Sequence, residues 1–165
     1  MRTWADFERA APELAALGRE RIEQFGFVFL GTVRKDGGPR VNPAEAFIVE
    51  GHLALALIPW SLKARDLMRD PRVFLHTPVR DRHSGEPGEF KLRGQAVEIS
   101  EASLREAVAD TFERESGYRP PEDWHLFTLD VESAAFLRYD EEENLNRMLV
   151  WTPERGVESS TRTYL

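Results

Sequence analysis

The chain has no cysteine, which excludes disulfides, thiolate metal sites and cysteine nucleophiles, and which fits a reducing compartment. It has no apolar run near the ~20 residues a membrane helix needs. No Gly-x-Gly-x-x-Gly, Walker or Gly-x-Ser-x-Gly pattern is present, so the sequence offers no Rossmann, nucleoside-triphosphate or hydrolase-elbow signature. The four histidines, His52, His76, His83 and His125, are too scattered for a local ligand pair, and no metal site is expected. Lysine is scarce too, with only Lys35, Lys63 and Lys91, and the net charge is −7. The basic residues are interleaved with acids and form no stripe along one face, which argues against nucleic acid. The opening stretch, MRTWADFERAAPELAALGRERIEQF, is amphipathic and carries acids, unlike a signal or transit peptide. A cytoplasmic protein that neither spans membranes nor binds nucleic acid is the expectation.

What is present is ordinary globular composition in 165 residues, 41% hydrophobic and 31% charged, enough for one domain with a real core. Thr3 can cap a short helix and Pro12 suits the first position of a second, whose Leu14, Leu17, Ile22 and Phe25 recur at helical spacing. A helical lead-in over 3–25 is expected, with Gly26 ending it. The period then changes. FVFLGTVRK, the turn Asp36-Gly37-Gly38-Pro39 and RVNPAEAFIVE read as a β-hairpin, with Pro43 marking an edge or a bulge. Glu50-Gly51-His52 turns the chain into LALALIP, and further strands are expected at 72–78 and 90–99 around a polar loop at 80–89. Ser100 is the expected N-cap of EASLREAVADTFERE, with Leu104, Val108 and Phe112 as its apolar stripe. HLFTLDVE, AAFLRY and RMLVWTP read as short strands, the acidic run Asp140 to Glu143 as a solvated loop, and residues 153–165 as a tail. Six to eight antiparallel strands with peripheral helices predict a mainly β fold, a single split barrel over about 26–152.

The stretch IPWSLKARDLMRDPRVFLH, residues 58–76, carries the sharpest chemistry. A helix starting near Ser61 presents unpaired backbone N–H groups and the positive end of its dipole, both of which attract an anion. Ser61 adds a hydroxyl and Lys63 a mobile cation. Taken alone, this is a capped helix with a solvated lysine.

Its neighbours change that reading. A hairpin turning at Gly-Gly-Pro-Arg, then LALALIP, SLKARDL, RDPRVFLH and later FKLRGQAVEI, resembles the pyridoxamine 5′-phosphate oxidase-like family of FMN-binding split β-barrels. The likeness covers roughly residues 25–100, with a looser echo at VWTP. It implies that Ser61, Leu62 and Lys63 bind the FMN phosphate, that the backbone of Ala56, Leu57 and Ile58 lies along the isoalloxazine, and that Arg40 and Glu45 mark the ends of a second lining strand. It also implies a homodimer with cofactor sites at the interface, where Lys91 and Arg93 would approach from the partner subunit. Alternation puts Lys91 and Arg93 on one strand face and Phe90 and Leu92 on the other; without a cofactor the two cations are barrel-surface charges.

Two positions depart from the family pattern. Glu45 puts a carboxylate near a phosphate, which it would repel, and Leu62 stands where an arginine is frequent. The C-terminal RMLVWTPERGVESSTRTYL lacks the Arg-rich substrate signature of true pyridoxamine phosphate oxidases, and Trp151 reads as core or interface. The resemblance therefore implies an FMN-dependent oxidoreductase acting on another small molecule. The same barrel leaves room for a deazaflavin-dependent reductase, for a haem-handling protein using His76 or His125, and for a dimeric binding or stress-response protein without a cofactor.

Overall fold

In the computed structural model, which describes residues 1–79, 88–140 and 143–163, local signals set the helix ends. His83, nearly all of the 80–89 loop, and Glu141 and Glu142 of the acidic run lie outside the described residues. Thr3 caps α1 (Trp4–Ala10) in a reciprocal capping box with Asp6, Pro12 opens α2 (Pro12–Phe25), and Gly26 ends α2 at φ 69°. α3 (Leu62–Arg69) is capped by Ser61. α4 (Ala102–Ser116) differs from expectation: its N-cap is Glu101, with no side-chain cap bond, and Ser100 lies one residue outside the helix. Ser103 instead donates its hydroxyl to Glu101 at 2.7 Å.

The strands are β1 (Phe27–Val33), β2 (Pro39–Val49), β3 (His52–Leu57), β4 (Arg72–His76), β5 (Glu89–Glu98), β6 (His125–Asp140), β7 (Leu145–Thr152) and β8 (Gly156–Thr163). All pairings are antiparallel, and β3–β6 pairing closes a six-strand barrel in the ring order β1-β2-β3-β6-β5-β4. The two C-terminal segments expected as separate strands are the single strand β6. Its first part pairs with β3 over His125–Thr128, and its later part carries β7 over Ala134–Asp140. Glu132 is skipped in the β5–β6 register, a bulge that re-aims the strand between these two duties. Gly94 lies at that bulge, where a Cβ would collide with the Asp130 carbonyl. The expected tail is corrected as well. Residues 156–163 form β8, which hydrogen-bonds along the whole of β7, because the edge β7 presents is satisfied best by the chain that follows it.

Inward residues Val28, Leu30, Leu53, Leu55, Leu57, Val73, Leu75, Phe90, Leu92, Phe127 and Leu129 fill the barrel, and Trp4, Phe7 and Trp151 join the same core. Trp151 is 2% exposed, its ring 4.9 Å from that of Phe7, which makes it a core residue. Gly18 lets α2 lie against Phe90, since a Cβ there would sit 2.7 Å from the ring. A second core, with Phe47, Ala54, Ala56, Val108 and Phe112, forms between the barrel and α4.

On the outer face of β2-β1-β4-β5, α4 covers the C-terminal end of β2 through Phe47 and Val49. Two cross-strand rows run across that face, Pro43–Phe29–His76–Lys91 and Val41–Gly31–Phe74–Arg93. Phe29, Phe74 and Val41 are 41%, 44% and 63% exposed there. The β2–β3 ladder ends at Ala46–Leu55, so Pro43 sits in a stretch of β2 paired only with β1, the edge position its missing N–H requires.

Candidate functional site

Ser61 stands in extended backbone, its hydroxyl oxygen accepting the Ala64 N–H at 3.3 Å and its carbonyl accepting the Arg65 N–H at 3.2 Å. The N–H groups of Leu62 and Lys63 open the helix and have no carbonyl a turn behind them to bond. Trp60 and Leu62, on either side of Ser61, are 70% and 54% exposed. The start of α3 is thus an open ring of donors with apolar flanks.

Lys63 reaches from this start to β2, where its ammonium donates to the Pro43 carbonyl at 2.5 Å. Burial pulls its pKa below the ordinary lysine value, and nearby Glu45 pushes back. Glu45 responds in kind: burial raises its pKa and Lys63 opposes the rise. The carboxylate that departs from the family pattern is therefore a counter-charge to the lysine.

Arg40 lies on the other face of β2, the one shared with Thr32 and the barrel interior. Its Nε donates to Asp66 at 2.6 Å, and the same carboxylate accepts Thr32 Oγ1 at 3.0 Å and Arg69 at 3.2 Å. Asp66 is 3% exposed. Burial alone would raise its pKa, but the bonds from Arg40, Thr32 and Arg69 outweigh it and hold the carboxyl below its ordinary range. Beside this network a groove of about 600 Å³ opens between α3 and the β1–β2 turn, its walls including the basic Arg34, Lys35, Arg40 and Arg65, the acidic Asp36 and Asp66, and Leu62.

Ser61, Leu62 and Lys63 open α3; Lys63 reaches the Glu45 face of β2 at Pro43, while Arg40, on the opposite face, lines the groove with Leu62. Ala56, Leu57 and Ile58 lead into Ser61 through backbone. The Ala56 side chain is packed in the α4-side core and that of Leu57 in the barrel core, while Ile58 is half-buried and its carbonyl accepts the Ser61 N–H at 3.0 Å. Lys91 and Arg93 share the outer face, as alternation requires, with Phe90 and Leu92 inside. Both are ion-paired, Lys91 with buried Glu89 and Arg93 with Glu132 at 3.3 Å.

Sequence reasoning passed over Asp66 and Glu89. Asp66 carried one signal, a carboxylate on the apolar face of α3 between Ala64 and Leu67. Glu89 carried none, because its partner His76 comes from another strand, with Nε2 3.2 Å away and Nδ1 facing the Thr77 carbonyl at 2.7 Å. The remaining described histidines are dispersed, His52 on Thr128 and His125 on Glu98. No group of three metal-ligating side chains occurs among the described residues.

The donors at the α3 start, two helix-opening amides, a serine hydroxyl and a lysine ammonium, are of the kind that fits a phosphate monoester, and Arg40 lines the neighbouring groove with Leu62. The sequence matches the profile of the pyridoxamine 5′-phosphate oxidase family over residues 15–138. None of the functionally curated proteins matches it. Similar solved structures include a pyridoxamine 5′-phosphate oxidase-related, FMN-binding protein from Nostoc punctiforme (15% identity, TM-score 0.62, covering 90% of this chain and 94% of that one). PhzG from Burkholderia lata, solved with tetrahydrophenazine-1-carboxylic acid, is similar at 14% identity and TM-score 0.59, covering 92% and 89%. The haem storage protein HutZ from Vibrio cholerae is similar at 19% identity and TM-score 0.58, covering 72% and 90%. At these identities the likeness is one of fold.

Proposed function

The chain belongs to the pyridoxamine 5′-phosphate oxidase family, and on that premise we propose that it is an FMN-binding, homodimeric, cytoplasmic oxidoreductase acting on a small molecule. The strongest support is the start of α3, where Ser61, the Leu62 and Lys63 amides and the Lys63 ammonium stand beside a groove lined by Arg40 and Leu62. Ser61, Lys63 and Arg40 would hold the phosphate. The exposed face of Phe29 and Phe74 supplies the apolar surface that a flat ring and a second subunit need, and Lys91 and Arg93 lie on that face. Bound there, the flavin supplies the electron transfer. The protein supplies phosphate anchoring, orientation and exclusion of water, and no separate acid or base from the chain is required.

Pyridoxamine phosphate is not the proposed substrate, since the C-terminal strands lack the Arg-rich signature and Trp151 is sealed in the core against Phe7. A deazaflavin shares the phosphate chemistry and would use the same anchor. A haem ligand role for His76 has less support, because both its ring nitrogens face acceptors, the Thr77 carbonyl and Glu89.

The absorption spectrum of the purified protein, with FMN titration and mass analysis of whatever denaturation releases, tests the proposal. Flavin bands and quenching of FMN fluorescence are expected. Colourless protein that leaves FMN fluorescence unchanged refutes the FMN reading. A released deazaflavin, or a Soret band on addition of haemin, transfers the site to those cofactors.

A further inference from the structure

Asp66 is the most deeply buried acid near the site, and its position has a consequence for ligand choice that rests on the flavin proposal. A carboxylate taken from water is retained only where bonds replace its hydration, and Asp66 receives three: Arg40 Nε at 2.6 Å and Thr32 Oγ1 at 3.0 Å on one oxygen, Arg69 at 3.2 Å on the other. These donors come from β2, β1 and α3, so the carboxylate ties the helix to the two strands that flank the groove. Arg40 spends only its Nε on this contact. A guanidinium fixed at Nε is fixed in plane and azimuth, and its two terminal nitrogens are then presented together, the fork that matches two oxygens of a phosphate. Arg40 and Leu62 line one groove, which puts Arg40 on the same opening as the first residue of α3.

We propose that Asp66, held by Thr32, is a positioning residue that aims Arg40 at the ligand's phosphate and thereby makes the site select the phosphorylated flavin, FMN, over riboflavin. Asp66 also lines the groove, but an ionised carboxylate has no donor to give a phosphate. Its favourable effect on the phosphate therefore passes through Arg40, and it alters the phosphate's share of binding rather than the ring's. A purely architectural Asp66 would behave otherwise, weakening both ligands together as the barrel end loosened.

The test is fluorescence-quenching titration of the full chain with FMN and with riboflavin, in wild type, Asp66→Asn and Thr32→Val, alongside thermal melts. Wild type is expected to prefer FMN. Asp66→Asn keeps the shape but weakens the hold on Arg40, and FMN affinity should fall about tenfold, the worth of one charge-assisted bond, with riboflavin affinity unchanged. Equal loss for both ligands, or an unchanged FMN-to-riboflavin ratio, overturns the assignment while leaving the flavin proposal standing. Wild type that binds neither ligand overturns both. Should Asp66→Asn fail to melt cooperatively, Thr32→Val decides: Thr32 lies off the groove wall, and a ratio lowered at least twofold supports the assignment, whereas an unaltered ratio overturns it.

Discussion

Replacing Lys63 with Met removes the ammonium while keeping most of the apolar stem, which isolates the charge at the α3 start. A hydrogen bond to a charged group is worth about 1.5–3 kcal/mol when lost. Two features of the structure lower that figure here. One ammonium hydrogen is already given to Pro43 O at 2.5 Å, and Glu45 offsets part of the field a phosphate would feel. The side chain is also only half-buried, so solvent screens it. About 1–2 kcal/mol remains, a five- to thirty-fold weakening of FMN. Glu45→Gln acts with the opposite sign, strengthening FMN by about 0.5–1 kcal/mol as the repelling carboxylate goes. Fluorescence titration with FMN and riboflavin, at low and high salt, measures both; the effects should be confined to FMN and shrink as salt rises. The double variant closes a thermodynamic cycle, and its coupling energy reports the Glu45–Lys63 interaction directly. Unchanged FMN affinity in Lys63→Met, or equal loss for riboflavin, would show that the phosphate is not bound at α3.

Two further outcomes follow from other parts of the molecule. The Asp66 carboxyl titrates below its ordinary value of 3.8, so its ionised form stabilises the fold above that value and the benefit is lost as pH falls through the lower folded pKa. The gap in melting temperature between wild type and Asp66→Asn should therefore be constant from neutral pH to about 5 and narrow below about 4; a gap that stays constant throughout rules out the buried ion network as its source. Phe74, 44% exposed on the open sheet face, should matter little to a single subunit and much to a pair. Phe74→Asp is expected to yield monomers by light scattering with a nearly unchanged fold by circular dichroism; dimers that persist would move the interface off this face.

The parts of the structure legible in the chain were those governed by neighbours within a few residues. Thr3 with Asp6, Pro12, Gly26 and Ser61 mark helix ends because each satisfies or forgoes a backbone bond inside one turn. Lys91 and Arg93 fall outside and Phe90 and Leu92 inside because strand side chains alternate. Even there the local reading slipped at α4, where Ser100 and Glu101 compete for one cap. The tail was misread because GVESSTRT has no apolar alternation; exposed on both faces, β8 is a strand only through its ladder to β7.

By itself, then, the sequence determined an antiparallel β chain with a capped, anion-attracting helix start at Ser61, since caps, turns and periodicity are local physics. Tertiary structure alone decided the closure of β3 on β6, the double use of β6 around its bulge at Glu132, and the reach of Lys63 to the Pro43 carbonyl on β2. It also decided that Arg40 is held by Asp66, 26 residues further on, together with Thr32, 34 residues before that carboxylate. Those contacts depend on which strands meet, and the burial that makes a charge choose its partner exists only once the barrel has closed.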